Sequence, residues 1–203
     1  MSKAVLISIH PRWCEKIASG EKTIEIRKTR PKLQTPFKCY IYCTRDKHLA
    51  FMQNQTGTNL IACMDVETAI PVGGFVGNGK VIGEFVCRGF IPFCKARPCF
   101  VMEAPEEIER MACLTRKEIW KYAPEGNPIG WRISDLLIYD TPRELGEFTP
   151  ACRYKNDDGS CQSRRVACSY QKYDYNSDGS LNLVECGRTL ERPPQSWCYV
   201  EEG

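Results

Sequence analysis

The sequence has little of what marks several common protein classes. It contains two histidines in 203 residues, His10 and His48. Because histidine is the usual base of nucleophilic hydrolases and a frequent metal ligand, this scarcity disfavours a Cys–His catalytic pair. No apolar run approaches the ~18 residues that a membrane helix requires, and the first residues lack the pattern of a signal peptide. We therefore expect a cytoplasmic protein with no membrane partner.

Cysteine, by contrast, is abundant but not arranged in a familiar way. The chain has thirteen cysteines, an odd number, and no Cys-x-x-Cys pair. In a reducing compartment such residues remain thiols and behave as small buried apolar groups unless a metal collects them. The cysteine count alone therefore does not indicate a secreted disulfide scaffold.

The positive charge is concentrated near the N-terminus. Residues 1–50 hold eleven Lys or Arg and four acids, whereas the remainder holds seventeen and twenty-one, so a net charge of +3 divides into +7 and −4. Much of the excess lies in one short stretch, at Lys22, Arg27, Lys28, Arg30 and Lys32. Such a cluster favours phosphate-bearing ligands, although a solvated basic loop is the simpler interpretation of the charge alone.

The stretch from 11 to 27 combines a short helix with a charged strand. Pro11 suits a first helical turn, and Gly20 can supply the left-handed residue that ends the helix. Ile24 and Ile26 then alternate with polar residues, which predicts a half-buried strand. Its polar face carries Glu25 and Arg27, and Lys22 lies at the junction. A surface salt bridge is the alternative to a binding site here.

The rest of the chain predicts short strands interrupted by two or three helices, which indicates the α+β class. Further strands are predicted at residues 4–9, 39–43, 60–66, 80–90, 131–139 and 196–200. A capping box, Thr115-Arg-Lys-Glu118, predicts a helix, and Thr141-Pro-Arg-Glu144 predicts a last short one. Residues 44–59 are predicted to form a long loop or insertion.

Three sequence blocks carry a family resemblance. Gly20-x-Lys22-x-x-Glu25-x-Arg27 after a short helix resembles the signature of ASCH domains, in the PUA-like superfamily. Two later blocks, from Gly130 to Asp140 and from Arg192 to Val200, are similar to small phage and bacterial ASCH proteins. The resemblance covers residues 3–148 and 190–201.

The resemblance implies a fold and a division of the chain. The expected fold is a PUA-like small mixed β-barrel with two or three helices. The expected parts are an ASCH domain over residues 1–149, a cysteine-containing insertion over 150–189, and a C-terminal strand over 190–203 that returns to the barrel.

The resemblance also implies a function, the binding of RNA or a modified nucleotide in a cleft, with no cofactor required. The expected ligand-binding residues are Lys22, Glu25, Arg27, Trp13, Trp131 and Arg132. In this hypothesis the cations contact phosphate or ribose, and Trp131 is the first choice for stacking on a base. The relatives often have histidine where this chain has Arg132, which weakens any proton-transfer role at that position.

Two other functions remain open. One branch of the family removes the acyl group from acetylated cytidine nucleosides, and an amidohydrolase of this kind would use Lys22 with Glu25 or Glu118 as catalytic residues. That branch has threonine where this chain has Glu25, and a carboxylate beside Lys22 opposes the loss of its proton. The other alternative is a phage-encoded interaction protein whose cysteine-rich segment docks on a host factor.

The segment from 150 to 189 offers two competing metal sites. Asp174, Asn176, Asp178 and Glu185 have the spacing of a calcium-binding loop. The same residues around Gly179 are equally typical of a hairpin turn. If the hairpin forms, counting back from its tip places Cys168 opposite Cys186. A structural zinc site could then use four thiolates, Cys152, Cys161, Cys168 and Cys186.

Overall fold

The computed structural model describes residues 2–54, 58–63, 74–93, 105–124, 126–152, 171–175, 177–179, 181–186 and 188–202. In chain order the helices are α1 Pro11–Ala18, α2 Pro105–Ala112 and α3 Arg116–Tyr122. The strands are β1 Lys3–Ile9, β2 Ile24–Arg27, β3 Phe37–Cys43, β4 Leu49–Gln53, β5 Asn59–Cys63, β6 Phe75–Val76, β7 Val81–Pro92, β8 Ile129–Arg143, β9 Gln171–Tyr175, β10 Leu181–Cys186 and β11 Trp197–Glu201.

The main sheet has six strands in the order β11-β1-β3-β7-β8-β2. β1 and β3 run parallel, and the other neighbours run antiparallel, so the sheet is mixed. It curls into a half-barrel accompanied by three helices in the described ranges, and the predicted α+β class is confirmed. The Arg27 guanidinium donates to the Ser8 carbonyl at 2.6 Å, so a side chain of β2 reaches the end of β1 across the opening of the curl.

β1 shows how an unbroken apolar run serves two cores. Val5, Ile7 and Ile9 pack in one buried cluster with α1, β3 and β7. Ala4 and Leu6 point the other way, into a second cluster. Because successive side chains of a strand face opposite sides, a strand buried on both faces must be apolar throughout.

The predicted helix start and stop around α1 are confirmed. Pro11 occupies the first turn, and the His10 side chain caps the helix by accepting a hydrogen bond from the Arg12 backbone N–H at 3.3 Å. Gly20 has φ +78°, a left-handed conformation that disfavours residues with a Cβ.

The structure corrects three local predictions. The predicted loop over 44–59 contains β4, whose residues 50–53 are buried and which pairs with β5 and β6. Helix α2 was not predicted from the sequence. Thr141 does not begin a helix, because β8 continues to Arg143 and a short 3₁₀ turn follows at Leu145–Glu147. Sheet pairing outweighed the local capping signal there.

The C-terminal segment forms the predicted hairpin with a different register. β9 and β10 pair antiparallel around a turn that contains Gly179 at φ +79°. Cys186 lies opposite Gln171, so the predicted pairing of Cys168 with Cys186 is wrong. The turn is centred one residue later than assumed, and a bulge between Leu183 and Glu185 moves the register further.

The two metal hypotheses fall largely outside the described residues. Cys161, Cys168 and Asn176 lie outside them, as do the side chains of Asp174, Glu185 and Cys186. Among the ligands proposed, Cys152 is described as a partly buried free thiol, and Asp178 is exposed in the turn. Within the described ranges, no group of three or more His, Cys, Asp or Glu residues is arranged so that it could hold a metal ion. Zinc and calcium therefore stay predictions.

None of the helices in the described part of the chain is long and apolar enough to cross a membrane.

Candidate functional site

A cleft of about 420 Å³ opens where the end of β1 faces β2. Its floor is formed by β1 and β2 with the preceding Lys22, and α1 contributes Trp13 to one wall. α3 contributes Glu118 and Tyr122, and Gln195 reaches the rim from the segment before β11. The volume lies within the range of small-ligand pockets. Residues distant in sequence thus converge on one concave surface.

The predicted charged group lies together on the floor of this cleft. Lys22, Glu25 and Arg27 are only 1%, 6% and 7% exposed. The Lys22 ammonium lies 3.4 Å from Glu25 Oε2, and the Arg27 guanidinium lies 3.1 Å from Glu25 Oε1. Glu25 therefore bridges both cations, a pairing that the sequence left open. An ion pair this buried differs from the surface salt bridge that was the alternative.

Two polar atoms of this group are buried without a hydrogen bond. They are Glu25 Oε2, an acceptor, and Arg27 Nε, a donor. Buried polar groups normally have partners, because leaving one unsatisfied costs about 1–3 kcal/mol. The Lys22 ammonium lies 3.4 Å from Glu25 Oε2 without forming a hydrogen bond, so a ligand that brought both a donor and an acceptor to this ion pair would satisfy both atoms.

The C-terminal end of helix α2 fixes the position of Lys22. Its ammonium donates to the Ala112 carbonyl, the last residue of α2, at 2.6 Å. The Thr23 N–H donates to the Met111 carbonyl at 2.8 Å, so two carbonyls at the negative end of α2 meet the start of β2. A lysine that donates to a carbonyl and faces a carboxylate is suited to act as a fixed cation rather than as a free amine.

His10 lines the cleft and is fixed in place by Asp46. Its Nε2 lies 2.9 Å from the Asp46 carboxylate, while Nδ1 accepts from the Arg12 N–H. Hydrogen bonds from the backbone N–H groups of His48 and Leu49, together with His10, lower the pKa of Asp46 to about 2. With both ring nitrogens engaged, His10 serves as a helix cap and a wall of the cleft.

The two tryptophans predicted to bind the ligand lie in different surroundings. Trp131 is fully buried and packs against the rings of Phe37, Phe90 and Trp197, so it does not line the cleft and stacking on a base is not available to it. The pattern misled because β8 turns this residue toward the core. Trp13 lines the cleft instead, with the Lys22 ammonium 5.2 Å from its ring centre.

Arg132, next to Trp131, also lies outside the cleft. It stands opposite Ile24 in the β2–β8 pairing. Because neighbouring strand residues face opposite sides, the buried Trp131 directs Arg132 to the other face of the sheet. The predicted ligand contact at Arg132 is therefore not supported by its position.

Glu118 is in the cleft, but its carboxylate is occupied. It accepts from the backbone N–H and the hydroxyl of Thr115 at 2.8 and 2.7 Å, and these hydrogen bonds lower the pKa of Glu118. A carboxylate used in this way closes the capping box of α3. Both hydrogen bonds go to Oε2, and holding the carboxylate in its charged form makes it a poorer proton donor for the predicted relay.

Sequence reasoning missed several residues that line the cleft, among them Tyr122 and Gln195. Tyr122 was visible only as an apolar position of a short helix, and Gln195 only as a polar neighbour of Trp197. No spacing in the sequence shows that α3 and the C-terminal segment meet the same strand.

Comparison with known proteins gives a match to one family. Residues 7–89 match the sequence model of the ASCH domain. This range includes the end of β1, all of α1, and the stretch through β2 that carries Lys22, Glu25 and Arg27. It does not include the residues of α3 or the C-terminal segment that line the cleft.

Several solved structures are similar to the chain. One is the ASCH protein of Zymomonas mobilis, at 17% identity over 70% of this chain and 73% of that chain, with a TM-score of 0.43. Two single-residue variants of the same protein match at 18% identity. They cover 71% and 70% of this chain and 77% and 74% of those chains, with TM-scores of 0.43 and 0.45. No curated protein matches the chain.

Proposed function

Because the chain contains an ASCH domain, we propose that it binds a nucleotide unit, free or within RNA, in the cleft above Lys22, Glu25 and Arg27. The ASCH family is thought to bind RNA. The observation that carries the proposal is the buried charged group with two orphaned atoms, Glu25 Oε2 and Arg27 Nε.

The electrostatics of the cleft support a nucleotide rather than a bare anion. The floor has two cations, Lys22 at 3.4 Å and Arg27 at 3.1 Å from the one carboxylate, so its formal charge is +1. A nucleobase edge presents donors and acceptors side by side and can satisfy Glu25 Oε2 and Arg27 Nε together. Phosphate oxygens are acceptors only and would bring Glu25 Oε2 no donor beyond the Lys22 ammonium, which lies 3.4 Å away. Trp13 adds an aromatic side wall for stacking.

The test is calorimetric titration of the full chain with the four ribonucleoside monophosphates and their nucleosides. Glu25→Gln removes the charge and turns one oxygen into a donor, and we expect it to weaken binding by about 10- to 150-fold, since a hydrogen bond to a charged group contributes about 1.5–3 kcal/mol. Glu21→Gln is the matched control, because Glu21 pairs with Lys16 on the surface and does not line the cleft.

The proposal fails if no nucleotide or nucleoside binds the folded wild-type protein, or if Glu25→Gln binds as tightly as the wild type. Circular dichroism at the titration temperature checks that each variant is folded. If Glu25→Gln does not fold, Trp13→Leu at the partly exposed cleft wall takes its place, with an expected loss of about 1–3 kcal/mol of stacking.

An amidohydrolase acting on acylated cytidine is the second candidate, because Lys22 and Glu118 line the same cleft. The fixed ammonium of Lys22 and the capping role of Glu118 count against it. Mass spectrometry after incubation with N4-acetylcytidine decides between them: loss of the acetyl group by the wild type but not by Lys22→Met supports the hydrolase, and an unchanged mass supports binding alone.

A further inference from the structure

A row of three cations leads away from the mouth of the cleft. We name Lys28, Arg30 and Lys32 the cationic ledge; they follow β2 directly, and all three are exposed. The Lys28 ammonium lies 5.2 Å from the ring centre of Tyr122, a residue that lines the cleft. The ledge therefore begins at the cleft mouth, and its backbone spans at most about 13 Å from Lys28 to Lys32.

The three ledge cations form no ion pair with a described residue, a condition they share with other exposed cations such as Arg12 and Lys117 but not with many of the surface cations. Elsewhere in the described ranges, Lys16, Lys38, Lys80, Arg88 and Arg143 each lie within 3.2 Å of a carboxylate oxygen. Within those same ranges, no carboxylate forms an ion pair with any of the three ledge cations. Their charge is thus available to a partner.

Hydrogen bonds to two residues of β11 fix the segment that carries the ledge. The Trp197 indole N–H donates to the Thr29 hydroxyl at 3.1 Å, and the Lys32 backbone N–H donates to the Tyr199 hydroxyl at 2.7 Å. Pro31 is buried between these anchors. Two aromatic residues of β11 therefore fix the backbone, while the cations point outward. A solvated basic loop, the simpler reading of this charge run, needs no such anchoring.

Two of the three ledge cations also lie against an aromatic ring. Lys28 lies against Tyr122, and the Arg30 guanidinium lies 5.2 Å from the ring centre of Phe90. Cations beside aromatic faces along a continuous track are the combination that single-stranded nucleic acids bind, with phosphates on the cations and bases on the rings.

We propose that the ligand of this protein is a single-stranded nucleic acid whose phosphodiesters run along the cationic ledge while one nucleotide enters the cleft. This rests on the proposed function and specifies its substrate as a strand rather than a free nucleotide. The cleft recognises one nucleotide, and the ledge binds the backbone beside it without regard to sequence.

The test compares one strand with one nucleotide. A fluorescein-labelled 10-nucleotide RNA of mixed sequence and the four nucleoside monophosphates are titrated into the wild type and into Lys28→Gln/Arg30→Gln/Lys32→Gln at several salt concentrations. We expect the triple variant to bind the RNA at least tenfold more weakly, with a salt dependence reduced by about 0.7 for each cation lost, or about 2 in total. Binding of the monophosphates stays within twofold of the wild type.

A charge-matched control separates the ledge from the net charge of the protein. Lys38→Gln/Lys80→Gln/Arg143→Gln removes the same charge from side chains that pair with surface acids. We expect this control to bind the RNA as the wild type does. Thermal unfolding of both triple variants checks that they fold.

Three results would overturn the inference. The first is that the ledge variant binds the RNA with unchanged affinity and salt dependence. The second is that the control variant loses as much RNA affinity as the ledge variant, and the third is that the ledge variant loses as much affinity for a duplex of the same sequence as for the single strand. A different result would contradict the proposed function of the cleft while leaving the ledge intact. If the strand binds through the ledge but Glu25→Gln has no effect on any ligand, the cleft assignment falls and the ledge remains.

Discussion

Replacing Glu25 by glutamine tests how the buried charged group is held together. The carboxylate lies 3.4 Å from Lys22 Nζ and 3.1 Å from Arg27 Nη2, and all three side chains are less than a tenth exposed. In Glu25→Gln both cations lose their shared counterion without regaining water. Removing one partner of a buried ion pair costs about 3–5 kcal/mol, and we expect about 3 because the amide keeps the volume and one acceptor oxygen.

The assay is urea unfolding followed by circular dichroism, with the free energy of unfolding compared between variants. For a domain of this size, about 3 kcal/mol corresponds to a fall of about 6–12 °C in Tm. Glu21→Gln removes the same chemical group from a surface pair with Lys16 at 2.7 Å and should cost about 1 kcal/mol or less.

A double-mutant cycle with Lys22→Met tests whether Lys22 and Glu25 stabilise the fold as a pair. Lys22→Met removes one of the two cations, so the double variant with Glu25→Gln should be less destabilised than the sum of the single variants, by about 0.5–3 kcal/mol. If Glu25→Gln costs no more than Glu21→Gln, the group is hydrated and the argument from its burial is refuted. Strict additivity in the double variant would also count against it.

Three further predictions concern single residues. The pKa of Asp46 is lowered to about 2 in the folded protein, so the unfolded chain binds more protons in acid. The stability that Asp46 contributes is therefore present above about pH 4 and is lost as the pH falls toward about 2. Acid titration of Asp46→Asn should show a smaller loss of stability than the wild type, and an identical profile would contradict this. Trp131→Phe should lower the unfolding free energy and leave nucleotide affinity unchanged, whereas Trp13→Leu should weaken affinity by about 1–3 kcal/mol; calorimetry with both variants decides, and the reverse pattern would restore the stacking role to Trp131. Gly83→Ala would bring a Cβ within 2.3 Å of a backbone carbonyl of β8 and should destabilise by about 1–3 kcal/mol, while Gly146→Ala, in open space, should have little effect on Tm; equal effects would mean that the β7–β8 pairing adjusts.

Much of the local structure could be predicted from the sequence. Pro11 and Gly20 mark the ends of α1, and the Thr115–Glu118 capping box marks α3, because these signals act within a few residues of chain. Where sheet pairing competes with a local signal, as at Thr141 and in β4, the local prediction was wrong. Strand pairing depends on partners far along the chain, which local patterns do not contain.

The same division holds for the functional site. The sequence by itself determined the charged residues Lys22, Glu25 and Arg27 and the basic run that follows them, since both lie within eleven consecutive residues, 22–32. Only the tertiary structure decided that Glu25 bridges both cations, that α2 holds Lys22, and that Trp13 rather than Trp131 lines the cleft. The physical reason is that burial and the closing of a cleft arise where separate elements pack, and that packing follows from the curl of the whole sheet.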